Sequence, residues 1–413
     1  MYIVNISSLH LAVPQECRVL RGAEMGSAPV LHDAWLRFSP ESGLIEDYGS
    51  GMPDAAALAG HEFVDARGGC VIPTFCDSHT HIIYAGSREG EFIDKINGLS
   101  YEEIAARGGG ILNSADRVAA ASEDSLYDSA LSRAREMIAK GTGAFEVKSG
   151  YGLSTDSELK LLRVAARLRE ALPVPVKITF LGAHAVGRAY AGRQGAYVDM
   201  LIDEMLPAVA AQGLAEYVDV FCDRGFFTVD ETRRILEASA RYGLRPKIHA
   251  NELDCSGGVQ VGVEAGALSV DHLERMGDAE IEVLRASTTI PTMLPGASFF
   301  LGMPYAPARK AVAAGLSVAL ASDYNPGSSP SGDMRFVWAL GCIKMRLTPS
   351  EALAACTING AAAMGISDTH GAIRRGGAAS FVVTRNVPSI DFIPYAYTTS
   401  WIADIYLSGR RYV

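Results

Sequence analysis

The segment CDSHTHIIYAG (76–86) places His79 and His81 two residues apart at the end of an apolar run. In an extended strand that spacing points both imidazoles to one face. Alone the two could be a structural pair; matching groups at other strand ends, above all His249 and Asp323, turn the reading to metal binding. Other apolar runs end in groups of the same kind. KITFLGAH ends at His184, and KIHA carries His249 with Glu252 three residues on. SVDH ends in Asp271 and His272, VALASD ends at Asp323 with Asn325 following, and FEVK ends at Lys148 just before Tyr151. Five of the nine histidines fall at such ends, which a scatter of core histidines would not do.

His79, His81, His249 and Asp323 together make a mixed nitrogen and oxygen donor set. It suits Zn²⁺, Fe or Mn better than Mg²⁺ or Ca²⁺. A metal so held activates a water as nucleophile near neutral pH. Glu252, beyond a ligand strand, is placed to act as general base and acid. His272 is open between ligand, donor to the water and core residue; Asp323 and His272 are candidates to orient the nucleophile. His184 is a candidate substrate contact. Lys148 reads as an ion-pair partner. The fourth strand run, YVDVFC, has no lysine that could bridge two metals, so one ion is expected. These parts describe hydrolysis of a C–N bond in a cyclic amide or amidine.

Residues at strand ends need a scaffold that gathers strand ends. Eight strand-like runs occur at 70–79, 144–149, 176–184, 217–222, 245–252, 268–274, 289–294 and 317–323. Most are almost wholly apolar, as in parallel strands covered on both faces. Helical runs lie between them. Thr155 with Glu158, and Thr228 with Glu231, have capping-box spacing. Gly141, Gly213, Gly243, Gly266 and Gly315 close helical patterns just before strands. This alternation predicts an α/β fold, a TIM-type (β/α)8 barrel over 69–370. A doubly wound sheet fits less well, because the count is eight and no Gly-rich dinucleotide loop is present. The Gly108–Gly110 triplet reads as a loop. Residues 1–68 and 371–413 are short β-type runs broken by turns, expected to form one small β-sandwich domain from both ends.

The charge of −10 disfavours nucleic acid and anionic membranes as partners. Seven scattered cysteines, an odd count with no CxxC, fit a reduced cytoplasmic chain. The uncharged run 286–308 contains Pro291, Pro295, Pro304 and Pro307, which excludes a membrane helix and suggests strand plus loop. The N-terminus lacks the basic region of a secretion signal.

The string PTFCDSHTHIIYAG resembles the first-strand signature of the amidohydrolase superfamily. FEVKSGYGL, TFLGAHA, VDVFCD, HANE, SVDHLE, LPGASFFL and SDYNPGSSP are similar, in order along the chain, to segments of the imidazolonepropionase family within it. The resemblance implies hydrolysis of 4-imidazolone-5-propanoate to N-formimidoyl-L-glutamate in histidine degradation. It implies one Zn²⁺ or Fe³⁺ per subunit, held by His79, His81, His249 and Asp323, and a homodimer. It also implies substrate contacts from Arg88, Tyr151, His184, Glu252, Asn325, Gly327 and Ser328. Arg88 would pair with the propanoate carboxylate. Tyr151, His184 and Asn325 would offer donors, and backbone groups at Gly327 and Ser328 would help hold the carboxylate. Two alternatives remain at this point: another mononuclear amidohydrolase, such as a deaminase of a nucleobase-like ring, or a metal-stabilised scaffold without turnover.

Overall fold

The computed structural model describes residues 1–99, 103 and 109–413; Gly108 of the glycine triplet lies outside them. The chain begins with β1 (Tyr2–His10), β2 (Val30–Phe38), β3 (Ile45–Ser50), β4 (Phe63–Asp65) and β5 (Cys70–Pro73). It then crosses into β6 (Phe75–Asp77), β7 (Thr142–Lys148), β8 (Val176–Ala183) and β9 (Tyr217–Cys222). There follow β10 (Arg245–Ala250), β11 (Ser269–His272), β12 (Ile290–Met293) and β13 (Ala319–Leu320). It ends with β14 (Phe381–Thr384), β15 (Ile402–Leu407) and β16 (Arg410–Arg411).

Strands β6 to β13 form one eight-stranded sheet in sequence order, and the neighbouring strands run parallel. The first and last strands meet just beyond their ends. Thr80 and Tyr324 form a parallel bridge. The His81 amide donates to the Tyr324 carbonyl at 2.9 Å, and the Asp323 amide to the His79 carbonyl at 3.0 Å. The seam that closes the barrel is therefore built by the residues that carry the candidate ligands.

The second sheet has the order β16-β15-β14-β5-β1-β2-β3, with β4 paired to β1, so both ends of the chain share it. It has its own core, in which Ile3, Leu36, Phe38, Val71, Phe381 and Tyr406 pack together. The run 70–79 is thus divided. Cys70–Pro73 pairs with β1 and β14, and only Phe75–Asp77 enters the barrel. The reason is local: Val71 belongs to the core of the terminal sheet, whereas Phe75 packs in the barrel core.

Local signals explain most of the connections. Thr228 and Glu231 form the reciprocal cap of the helix Val229–Ala240. Gly213 closes its helix in the left-handed conformation at φ 59°, where a side chain would be strained. The cap of the helix Thr155–Ala171 differs from expectation. Ser154 is the N-cap, accepting from the Ser157 amide. The Glu158 carboxylate turns away from the helix start and accepts from the amides of Gly150, Gly152 and Leu153 at 2.7–3.1 Å. The run 286–308 holds β12 and then a short helix, Pro295–Leu301, where a loop was expected; Pro295 is tolerated in its first turn. Among the described residues no helix is long and apolar enough to cross a membrane.

Candidate active site and metal centre

Parallel strands deliver their C-terminal ends to one rim, and the rim is where the polar strand-end residues gather. His79 and His81 bring their Nε2 atoms to 3.2 Å, and His249 Nε2 lies 3.4 Å from that of His81. Asp323 Oδ1 is 3.6 Å from both His79 Nε2 and His81 Nε2. All four side chains are buried. The ligand atoms of His79, His81 and His249 lie within 4.8 Å of one another, as do those of His79, His272 and Asp323.

This arrangement fits a metal ion. His79 Nδ1 is 2.7 Å from Asp271 Oδ2, and a carboxylate can only accept, so the proton sits on Nδ1. The Nε2 lone pair then faces two other imidazoles in a buried space. Burial, followed by Lys148 and the neighbouring imidazoles, holds His79 well below its ordinary pKa, which keeps it neutral. Burial, followed by His184, does the same to His81. Neutral imidazole nitrogens and one carboxylate crowded together are a ligand set for a cation.

Beneath the rim lies a buried ionic cluster, of which the sequence revealed only the role of Lys148. Lys148 Nζ contacts Glu146 at 2.9 Å and Asp219 at 2.8 Å, and Lys247 donates to the Ser78 carbonyl at 2.9 Å. Lys148 is the ion-pair partner expected of it, held above its ordinary value by Asp219 and Glu146, which outweigh burial. Asp219 accepts from the His249 amide at 3.1 Å. Its Oδ2 is 3.0 Å from His249 Nδ1, without the alignment of a hydrogen bond. Asp271 and Asp219 therefore stand behind two of the ligands. Their one sequence signal was a carboxylate within an apolar strand.

His272 and Asp323 have φ of 80° and 54°, unusual for residues with side chains. Such backbone strain is held where the surrounding structure over-determines it, often at active sites. His272 Nε2 is 3.6 Å from Glu252 Oε2, and its Nδ1 is 3.6 Å from Glu274 Oε1. Burial alone would lower the His272 pKa, but Glu252 and Glu274 together push it up to about 10. Burial pushes Glu252 up to about 7 against the pull of His272.

One cavity of about 800 Å³ is lined by all of the candidate substrate contacts and by His81, His249, His272 and Asp323. His79 lies deeper. His184 stacks on His81 with ring centroids 5.3 Å apart and planes at 15°. Its Nδ1 is 3.0 Å from the Gly150 carbonyl, so Nδ1 carries the proton. Burial, then His249, lowers its pKa to about 3, leaving Nε2 as an acceptor where a donor was expected. Tyr151 sits beside both rings, 5.9 Å from His81 and 5.4 Å from His184 between centroids.

The loop after Asp323 also differs from expectation. Asn325 Oδ1 accepts from the amides of Gly327 and Ser328, both at 2.8 Å, so these amides are already engaged. Asn325 Nδ2 donates to the Asp323 carbonyl at 2.7 Å and to Ser328 Oγ at 2.6 Å. Ser328 Oγ in turn donates to Asp323 Oδ2 at 2.9 Å. Asn325 and Ser328 thereby orient Asp323. Arg88 lines the cavity, and its Nε donates to Glu91 Oε2 at 2.8 Å.

The family model for the amidohydrolase family matches residues 70–400. The chain is 50% identical over 410 residues to the imidazolonepropionase of Christiangramia forsetii, covering 99% of both chains. It is 48% identical over 408 residues to the imidazolonepropionase of Flavobacterium johnsoniae, covering 99% of this chain and 98% of that one. Among solved structures, it resembles atrazine chlorohydrolase TrzN of Arthrobacter aurescens TC1, complexed with zinc and atraton. The TM-score is 0.71 at 14% identity, over 99% of this chain and 94% of the other, a likeness of fold. With the barrel, the rim of imidazoles and this similarity in agreement, the chain belongs to the amidohydrolase family and, within it, to the imidazolonepropionases.

Proposed function

We propose that this chain hydrolyses the ring C–N bond of 4-imidazolone-5-propanoate, giving N-formimidoyl-L-glutamate, with one Zn²⁺ or Fe³⁺ held by His79, His81, His249 and Asp323. The observation that carries the reading is the convergence of those four side chains, three of which line a cavity also lined by Glu252, His272 and Arg88. The three imidazoles and one carboxylate suit either ion. Bound there, the ion would lower the pKa of a water to ~7 and polarise the ring carbonyl.

The residues supply the rest. Glu252, raised toward neutrality by burial, takes a proton from the attacking water and delivers it to the leaving ring nitrogen. An O–C bond forms, the C–N bond breaks, and the water proton ends on nitrogen, so one water is consumed. His272, placed between Glu252 and Glu274, donates toward the developing charge. Asp323 orients the nucleophile and is itself held by Ser328. His184 Nε2 accepts from a ring N–H, and Tyr151 lies alongside the ring. Arg88 faces the propanoate carboxylate. A cytoplasmic homodimer completes the reading; it is supported by the family resemblance.

The test is incubation of the metal-loaded protein with 4-imidazolone-5-propanoate, following the decay of its ultraviolet absorbance. Formation of N-formimidoyl-L-glutamate supports the assignment. A loaded protein that leaves the compound to decay at its spontaneous rate overturns it.

A further inference from the structure

We propose that Lys95 is a specificity residue that, with Arg88, forms a two-cation clamp around Gly327 selecting substrates with a carboxylate tail. The inference rests on the functional reading above and names the group that recognises the acidic end of the substrate.

Arg88 alone is poorly placed to do so. Its Nε and Nη2 both go to Glu91 Oε2, at 2.8 and 2.5 Å, and both side chains are largely shielded. Glu91 is itself fixed, since its other oxygen accepts from the Gly110 amide at 3.1 Å and from Asn113 at 3.2 Å. The guanidinium charge is therefore matched within the protein. An anionic tail arriving there gains little from a neutralised pair.

Lys95 changes that balance. It lies on the same helix, Glu89–Ile96, and lines the same cavity. Among the described residues its Nζ makes one long hydrogen bond, 3.4 Å to the Gly327 carbonyl, and sits 5.7 Å from the Phe300 ring centroid. It forms no salt bridge among the described residues. Burial, then repulsion from Arg88, holds its pKa below the ordinary lysine value. The three charges of Arg88, Glu91 and Lys95 sum to one positive, which a single carboxylate would neutralise.

Gly327 shows where the clamp closes. A Cβ there would overlap the Arg88 guanidinium, with Nη1 nearest. Arg88 Nη1 thus approaches the Gly327 α-carbon, and Lys95 approaches its carbonyl. The Gly327 and Ser328 amides are engaged by Asn325, so they do not compete for the anion. A carboxylate at this edge would exchange a weak contact of Lys95 for a charge-assisted one, and would meet Nη1 of Arg88, which has no hydrogen-bond partner among the described residues. A tail with no charge leaves the ammonium half-buried and under-paired, which is how a site rejects it.

The test compares wild type, Lys95→Met and Lys95→Arg on 4-imidazolone-5-propanoate and on its primary amide. The readout is the ratio of kcat/KM for acid over amide, which a general loss of folding would not alter. In Lys95→Met the ratio should fall by about tenfold or more, and Lys95→Arg should recover most of it. A parallel arm measures binding of the unreactive pair 3-(imidazol-4-yl)propanoate and 4-propylimidazole to the metal-loaded proteins. The acid is expected to be preferred by wild type and not by Lys95→Met. An unchanged ratio in an active Lys95→Met enzyme overturns the clamp and leaves the reaction standing. No turnover by wild type overturns the reaction, and the binding arm then decides Lys95 alone: equal preference in wild type and Lys95→Met rejects it.

Discussion

His79 Nδ1 lies 2.7 Å from Asp271 Oδ2, although the two residues are 192 positions apart. The contact fixes the imidazole tautomer and aims its Nε2 at the other candidate ligands. Outer carboxylates of this kind are worth about 10- to 100-fold in metal affinity. Asp271→Asn keeps the shape and removes the charge. Chelator competition with Zn²⁺ should show a weakening of that order. An affinity equal to wild type would deny Asp271 its orienting role.

Glu252→Gln removes the proton carrier and leaves the ligands in place. General base and acid catalysis contributes roughly 10²–10⁴-fold, so kcat should fall within that range. Metal content, measured by elemental analysis, should stay at one ion per chain. A variant that loses the ion together with activity would point to a structural role for Glu252 and away from proton transfer.

Glu158 is fully buried, and its carboxylate accepts from three backbone amides of the loop that carries Tyr151. Glu158→Ala leaves those donors without partners inside the protein. Each buried unpaired group costs about 1–3 kcal/mol, so a loss of at least about 2 kcal/mol is expected in denaturant unfolding. Glu158→Gln should lose less, because its amide oxygen still accepts. Equal stability of wild type and Glu158→Ala would mean that the loop satisfies itself in another way.

His10 is buried in the terminal sheet, where burial and then His32 lower its pKa to about 4 from the ordinary 6.5. Between those values the unfolded chain takes up a proton that the fold refuses. Stability should therefore be level above about pH 6.5 and decline as pH falls toward 4, by about 2–3 kcal/mol from His10. His370, also lowered to about 4 by burial, adds to the same slope. Unfolding curves at pH 7.5 and 4.5 should differ less for His10→Gln than for wild type. Identical slopes would remove His10 from the account.

Strand ends were legible where a single segment held the whole signal. The near-continuous apolar runs located the barrel strands, and the polar groups terminating them located the rim. His79, His81, His249 and Asp323 could be named in this way because a two-residue period and a run end are local properties. Cys70–Pro73 was misplaced because an apolar run does not say which of two cores will receive it. Glu158 was read as a cap because its spacing fits one, but three amides of the Tyr151 loop take its carboxylate.

The sequence by itself determined the residue types at the strand ends, hence a cation site of imidazoles and a carboxylate, and the alternation that makes a barrel. Tertiary structure alone decided how those groups are partnered. Closure of β6 against the end of β13 sets His79 beside Asp323, 244 positions away. The same closure brings Lys95 to the Gly327 carbonyl across 232 positions. Such pairings depend on which surfaces meet when the sheet closes. A hydrogen bond or charge pair acts over a few ångströms of space, and the order of residues along the chain carries no measure of that distance.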